Sequence, residues 1–172
     1  NVNIGIIGFG TVGTGAAKIL LEKKKELKEK TGINFCLKKI ADLDIKKERN
    51  IKIDKNILTT DVNEIVNDET IDIVVELIGG INPAKTIILN SLKNKKNVVT
   101  ANKALLSEYA DLIFQTAAEN NRIVKFEASV CGGIPILKIL SDGLTANRIL
   151  NIYGIVNGTA NYILTNMSKY GK

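Results

Sequence analysis

Three glycines, Gly8, Gly10 and Gly13, make a GxGxxG pattern directly after the apolar run Val2 to Ile7. In a strand-to-helix turn the first permits a tight bend, and the second lets backbone approach a pyrophosphate. The third allows the helix to pack closely on the strand. The helix amino terminus then offers unpaired N–H groups and a partial positive charge to the phosphates. A turn that needs glycine only for packing is the alternative. Asp42 closes a second apolar run, Ile33 to Ala41. A carboxylate there accepts from the 2′-hydroxyl of NAD and repels the 2′-phosphate of NADP, or it is a plain turn aspartate. Lys103 follows a third apolar run, where an ammonium can face a carbonyl substrate and a nicotinamide ring; an ordinary exposed lysine is the other reading.

These groups need elements to hold them. Val2 to Ile7 reads as a strand, and Val12, Ala16, Ile19, Leu20 and Leu27 then recur at helical spacing until Gly32. Ile33 to Ala41 is a second strand. Residues 43 to 56 form a polar excursion before a short strand at Ile57 to Thr60, and Ile71 to Ile78 is a strand interrupted only by Asp72 and Glu76. Asn82-Pro83 caps and starts a helix. Asn97 to Ala101 is a strand, Ser107 to Asn121 a helix and Ile123 to Phe126 a strand. This alternation predicts an α/β fold, a Rossmann-type doubly wound parallel sheet with helices on both faces. Ligands then lie beyond the carboxyl ends of the strands, at the loops holding Gly79-Gly80, Thr100 to Lys103 and Glu127 to Gly133. Residues 1–130 are expected to form this domain. Residues 131–172 are expected to hold a connecting helix and the start of a second, substrate-binding and dimerising α+β unit, with a strand at Ile149 to Val156 and a helix near Gly158. That helix start places Asn157, Thr159 and Asn161 near a cleft mouth, or simply caps the helix through Asn157.

Composition limits the alternatives. With 172 residues, 45% of them hydrophobic, the chain can bury one core and begin another. No apolar run reaches the roughly 20 residues of a membrane span, and no signal-type segment opens the chain, so a cytoplasmic protein without a membrane partner is expected. Two distant cysteines and no histidine argue against disulfide frameworks and transition-metal sites. The net charge of +6 rests mainly on lysines, grouped at Lys23, Lys24, Lys25, Lys28 and Lys30 and at Lys93, Lys95 and Lys96. Lysine without arginine or interleaved aromatics reads as solvated helix surface and not as a nucleic-acid site.

Five segments carry a resemblance: GFGTVG (8 to 13), VVELIGG (74 to 80), VVTANKALLS (98 to 107), FEASVCGGIPI (126 to 136) and GIVNGTANYILTNM (154 to 167). Together they resemble the homoserine dehydrogenase family across nearly the whole chain. The resemblance implies reversible NAD(P)-dependent interconversion of L-aspartate 4-semialdehyde and L-homoserine, on the route to threonine, isoleucine and methionine, in a homodimer. It assigns Phe9, Thr11 and Val12 to the cofactor turn beside Gly8, Gly10 and Gly13; by their strand-end positions Asp42, Gly79, Thr100 and Lys103 complete the expected cofactor set. It makes Lys103 an active-site lysine; Asn157, Gly158 and Thr159, at the expected helix start, are the candidate substrate residues. Glu127, Val130, Gly132 and Ile134 match a loop whose backbone carbonyls hold Na⁺, an ion suited to hard oxygen ligands.

Two departures qualify it. NADP-preferring members resemble one another in an arginine near the end of the second strand, where this chain has Ile40-Ala41-Asp42-Leu43. NAD is therefore favoured, although Lys46, Lys47 or Arg49 can still reach a phosphate. The family's substrate glutamate and its catalytic Asp and Lys are expected beyond Lys172, so this stretch alone is expected to bind nucleotide and turn over little. Two rivals remain. One is a thiohemiacetal aldehyde dehydrogenase using Cys131, which needs a base that a chain without histidine does not supply. The other is a non-catalytic NAD-sensing domain, which shares the glycine turn and has no use for TANK or NGTANY.

Overall fold

A computed structural model describes residues 1–171. They divide into two compact units, Asn1–Val130 and Cys131–Lys172.

The first unit is built on a six-stranded parallel sheet of order β3-β2-β1-β4-β5-β6. The strands are β1 (Val2–Ile7), β2 (Phe35–Ala41), β3 (Leu58–Thr59), β4 (Ile73–Glu76), β5 (Asn97–Thr100) and β6 (Val124–Lys125). Between them run α1 (Thr11–Glu22), α2 (Lys24–Thr31), α3 (Asn63–Val66), α4 (Asn82–Lys93) and α5 (Lys103–Glu119). The strand order reverses between β1 and β4, which opens a crevice at their carboxyl ends.

Alternation along β1 explains why both faces are covered. Ile4 and Ile6 pack with Ala17 of α1 and Ile40 of β2, whereas Ile7 packs on the other face with Ile65, Val66 and Ile87 from α3 and α4. A third cluster joins α4 and α5 over β5 and β6 through Ile88, Leu92, Val98, Leu105 and Ile113.

Several local expectations are corrected. The first helix is two helices, broken at Lys23 (φ −102°, ψ 18°), and α2 buries no residue. The face of α1 that packs is Gly13, Ala16, Ala17 and Leu20; Val12 and Ile19 are exposed. Asn82 does not cap α4, because Ile81 holds that place. The next helix starts at Lys103, four residues before Ser107, because the Asn102 side chain accepts from the Leu105 N–H. Within residues 43 to 56, Ile51 and Ile53 pack against the core.

Lys96, expected on a solvated surface, is buried at 1% exposure, its Nζ donating to the carbonyls of Asp68 (2.5 Å) and Ile71 (3.1 Å). Burial lowers the Lys96 pKa below 10.5, against the raising influence of Asp68, Asp72 and Glu69. The unfolded chain therefore binds more protons in the window just below 10.5, and stability rises with pH across it. We expect urea unfolding at a series of pH values to show this rise in the wild type and to lose it in Lys96→Met.

The second unit contains α6 (Ile136–Lys138), which runs into a π-type turn at Ile139–Gly143, and α7 (Gly158–Tyr170). Asn157 caps α7, and Gly171 ends it at φ +63°. The strand expected at Ile149 to Val156 does not form. A strand exists only through a ladder, and among the described residues none pairs with this segment.

Candidate functional site

The glycine turn leaves β1 at Ile7 and enters α1 at Thr11. Gly8 sits at φ +101°, and a Cβ there would lie 2.6 Å from the backbone carbon of Leu77. A Cβ on Gly13 would lie 1.9 Å from the Gly8 carbonyl oxygen. Packing therefore explains both glycines. It does not explain Gly10, whose φ is −75° and whose Cβ would meet nothing within 4 Å. Gly10 is also the N-cap of α1, where no side chain caps the helix, and Thr11 and Val12 are exposed beside it. An open, uncapped helix start with a glycine at its lip suits a phosphate approaching from outside.

Phe9 contributes backbone only, since its ring is 2% exposed. Its N–H donates to Asp42 Oδ2 at 2.5 Å, and Asp42 Oδ1 accepts from the Asp44 N–H at 2.9 Å. Asp42 thus stands at the end of β2 as expected, already bonded to the glycine turn. Its other neighbour is Arg49, whose guanidinium covers the Phe9 ring (4.3 Å to the centroid) and lies 3.4 Å from Asp42 Oδ1. Arg49 also donates to the carbonyls of Phe9 (2.5 Å), Lys47 (2.8 Å) and Asp44 (2.8 Å). Sequence reading placed Arg49 only among residues able to reach a phosphate; being the sole arginine of a lysine-rich excursion was the available signal.

Beside the turn opens a cleft of about 520 Å³, lined by Gly8, Gly10, Asp42, Leu43, Ile78 and Gly79 among others. It lies at the strand-order reversal and is mostly apolar with one carboxylate, which suits an adenosine better than a free anion. A groove of about 610 Å³ at the opposite strand ends, with Lys96, Asp72 and Arg122, touches none of these residues.

The β4 and β5 ends are tied together. Glu76 is fully buried, accepting from Thr100 Oγ1 at 2.6 Å and from the Ile78 N–H at 2.9 Å. Thr100 is equally buried, so its hydroxyl is committed to Glu76. Gly79 and Gly80 both stand at φ +70°, and the Gly80 carbonyl accepts from Asn102 Nδ2 at 2.6 Å. Lys103 is exposed at the first position of α5. Glu76 was noticed in the sequence only as a break in an apolar run; an acid inside a strand buried on both faces was the signal.

For the carbonyl-ligand set, Glu127 opens a short 3₁₀ turn and its carbonyl accepts from the Val130 N–H at 3.1 Å. In the second unit the Ile134 carbonyl accepts from the Ile136 N–H at 2.8 Å, and Gly132 stands at φ +60°. Backbone carbonyls are hard oxygen donors of the kind a hard cation takes. Cys131 is exposed at φ +55° and in no disulfide. The Asn157 side chain accepts from the Ala160 N–H at 2.8 Å, as a helix cap does; Gly158 and Thr159 are exposed in the first turn of α7.

The parallel sheet, its strand order and the glycine turn define a Rossmann-type α/β protein. Residues 8–127 match the family model for the homoserine dehydrogenase NAD-binding domain, and residues 135–172 match the homoserine dehydrogenase model. The chain belongs to the homoserine dehydrogenase family. It is 42% identical over 168 residues to the homoserine dehydrogenase of Bacillus subtilis and 46% identical over 170 residues to that of Neisseria gonorrhoeae. These alignments cover 98% and 99% of this chain but 39% of each relative. The crystal structure of a homoserine dehydrogenase from Thiobacillus denitrificans superposes with a TM-score of 0.86 at 40% identity, over 99% of this chain and 39% of that one. A hyperthermophilic archaeal homoserine dehydrogenase mutant in complex with NADPH superposes with a TM-score of 0.75 at 28% identity, over 98% of this chain and 57% of that one. Among the described residues no helix is long and apolar enough to cross a membrane.

Proposed function

We propose that the protein carrying this chain is an NAD(P)-dependent oxidoreductase that interconverts L-aspartate 4-semialdehyde and L-homoserine, and that the first unit is its dinucleotide-binding part. The observation that carries the reading is Gly10, a glycine that the fold itself does not require, at the uncapped start of α1. Gly8, Gly10 and Gly13 with the amides of Thr11 and Val12 receive the pyrophosphate. Gly79 and the Ala101 to Lys103 turn flank the nicotinamide end, with the buried Thr100 behind them. The cofactor, when bound, supplies or accepts the hydride; the protein must move the proton. Lys103 is the group assigned to that proton or to the developing alkoxide.

The second unit contributes Asn157, Gly158 and Thr159 to the substrate and joins a homodimer. By the family resemblance, the carbonyls of Glu127, Val130, Gly132 and Ile134 would be the ligands of a monovalent cation such as Na⁺. Oxidation of L-homoserine by the complete protein, followed by nicotinamide absorbance, tests the reading. Absence of turnover alongside firm NAD binding would favour a sensing role instead, and inactivation by thiol alkylation would favour Cys131 chemistry.

NAD is favoured over NADP, a reading supported by the Asp42 carboxylate at the end of β2 beside the glycine turn. Asp42→Ala should weaken NAD roughly tenfold, the worth of a hydrogen bond to a charged group, and should leave NADP equal or tighter. Arg49 then keeps its charge without its ion-pair partner, which favours the phosphate. Fluorescence titration with both nucleotides reads the change, and an unaltered preference would remove Asp42 from the site.

A further inference from the structure

Glu76 takes no part in the chemistry proposed above, yet its placement is costly. A carboxylate at 0% exposure gives up its hydration, and an apolar residue of a parallel strand would fill the same space without that loss. What the carboxylate does there is join two loops. One oxygen accepts from the Ile78 N–H and so holds the chain that leads into Gly79-Gly80. The other accepts from the Thr100 hydroxyl, which itself accepts from the Asn102 N–H at 3.0 Å. Asn102 completes a ring. Its Nδ2 donates back to the Gly80 carbonyl at 2.6 Å, while its Oδ1 caps α5 at Leu105.

The two bonds run in one direction, from the Asn102 N–H to the Thr100 hydroxyl and from that hydroxyl to the carboxylate, so they polarise one another. The loop it controls has little else to hold it. Gly79 and Gly80 are exposed, both at φ +70°, and neither would meet a neighbour with an added Cβ.

We infer that Glu76 is a positioning residue: through Thr100 and Asn102 it fixes the Gly79-Gly80 loop and the Lys103-bearing start of α5 in one mutual geometry. The inference deepens the proposed function and rests on it for the role of Lys103. It differs from a core-packing role because the hydroxyl of Thr100, and not its volume, transmits the effect.

Four variants of the complete protein test it: Thr100→Val, Thr100→Ser, Glu76→Gln and the double variant Glu76→Gln with Thr100→Val. Thr100→Val keeps the shape and removes the hydroxyl. It should lower kcat about tenfold or more, as misplacement of a reacting group does, with the KM for nucleotide changed less than about threefold. Thr100→Ser restores the hydroxyl and should recover kcat to within about twofold of wild type. Glu76→Gln should behave like Thr100→Val, and the double variant should be no worse than the more defective single one.

Amide hydrogen exchange supplies a readout besides activity. It should rise at Ile78 to Gly80 and at Asn102 to Leu105 together in Thr100→Val, but not in Thr100→Ser, with the other strands unchanged. A Thr100→Val variant as active and as protected as wild type, or a Thr100→Ser variant as impaired as Thr100→Val, would overturn the inference. So would exchange that rises across the whole sheet. A wild-type protein that binds no nucleotide would instead sink the proposed function, and the paired exchange response would still decide whether Glu76 links the two loops.

Discussion

Lys103→Ala is expected to lower kcat roughly 10²-fold or more in the complete protein while NAD affinity stays close to wild type. The magnitude is that of removing a positioned acid or an oxyanion donor. Reduction of an aldehyde needs a hydride at carbon and a proton at oxygen, and nicotinamide delivers only the first. Lys103 is the cationic side chain at the start of α5, directly after the strand end that Glu76 and Asn102 hold. Its exposed ammonium has three donors on a flexible stem and can follow a carbonyl oxygen as charge develops. The nucleotide phosphates are assigned to the turn at Gly8 to Gly13, on a different strand end, which is why binding should survive. Lys103→Arg separates two roles. An arginine keeps the charge but does not give up a proton, so partial recovery of kcat would point to alkoxide stabilisation, and none would point to proton transfer. Steady-state kinetics in both directions, with NAD titrated separately, make the measurement. Near-normal kcat in Lys103→Ala would leave the residue as an ordinary surface lysine.

The parts of this fold that were readable from sequence are those set by local pattern. Val2 to Ile7 and the runs Ile33 to Ala41, Ile71 to Ile78 and Asn97 to Ala101 each combine β-branched residues with a clear stop, and each holds a strand of the parallel sheet. The failures share a different cause. Ile149 to Val156 has strand composition but finds no ladder partner among the described residues, and pairing is a tertiary property. Val12 fits a helical repeat of apolar residues, yet the small residues Gly13 and Ala17 make the close contact, because a helix lying tight on a strand selects volume before hydropathy. Lys96 is buried because two carbonyls, from Asp68 and Ile71, converge on its Nζ, and neither is adjacent in sequence. Arg49 lies 40 residues from the Phe9 carbonyl it bonds. Asp42 was legible because its address, the end of the second strand, is itself local. Its bond to Phe9 was not, since that depends on how β1 and β2 are registered.

Gly13→Ala and Gly10→Ala should both lose nucleotide affinity but only Gly13→Ala its stability, and the contrast tests the site more sharply than either variant alone. The added Cβ of Gly13→Ala falls 1.9 Å from the Gly8 oxygen and 2.9 Å from its carbon. Both are backbone atoms, so no side chain can swing aside, and α1 must shift off β1. Overpacking of this kind costs about 3 kcal/mol or more, which for a domain of this size lowers the melting temperature by roughly 10 °C. Nucleotide binding should be lost with it, because the turn that presents the amides is itself displaced. Gly10→Ala meets no atom within 4 Å and needs no unusual φ, so its stability should fall by no more than about 1 kcal/mol, the cost of a poorer N-cap. Its NAD affinity should nevertheless drop about tenfold or more, since a methyl group at the lip of α1 holds the pyrophosphate away from the helix amides. Thermal melts and nucleotide titrations on the same two variants give the four numbers required. If Gly10→Ala binds NAD as tightly as wild type, no phosphate approaches the turn there, and the three glycines reduce to packing.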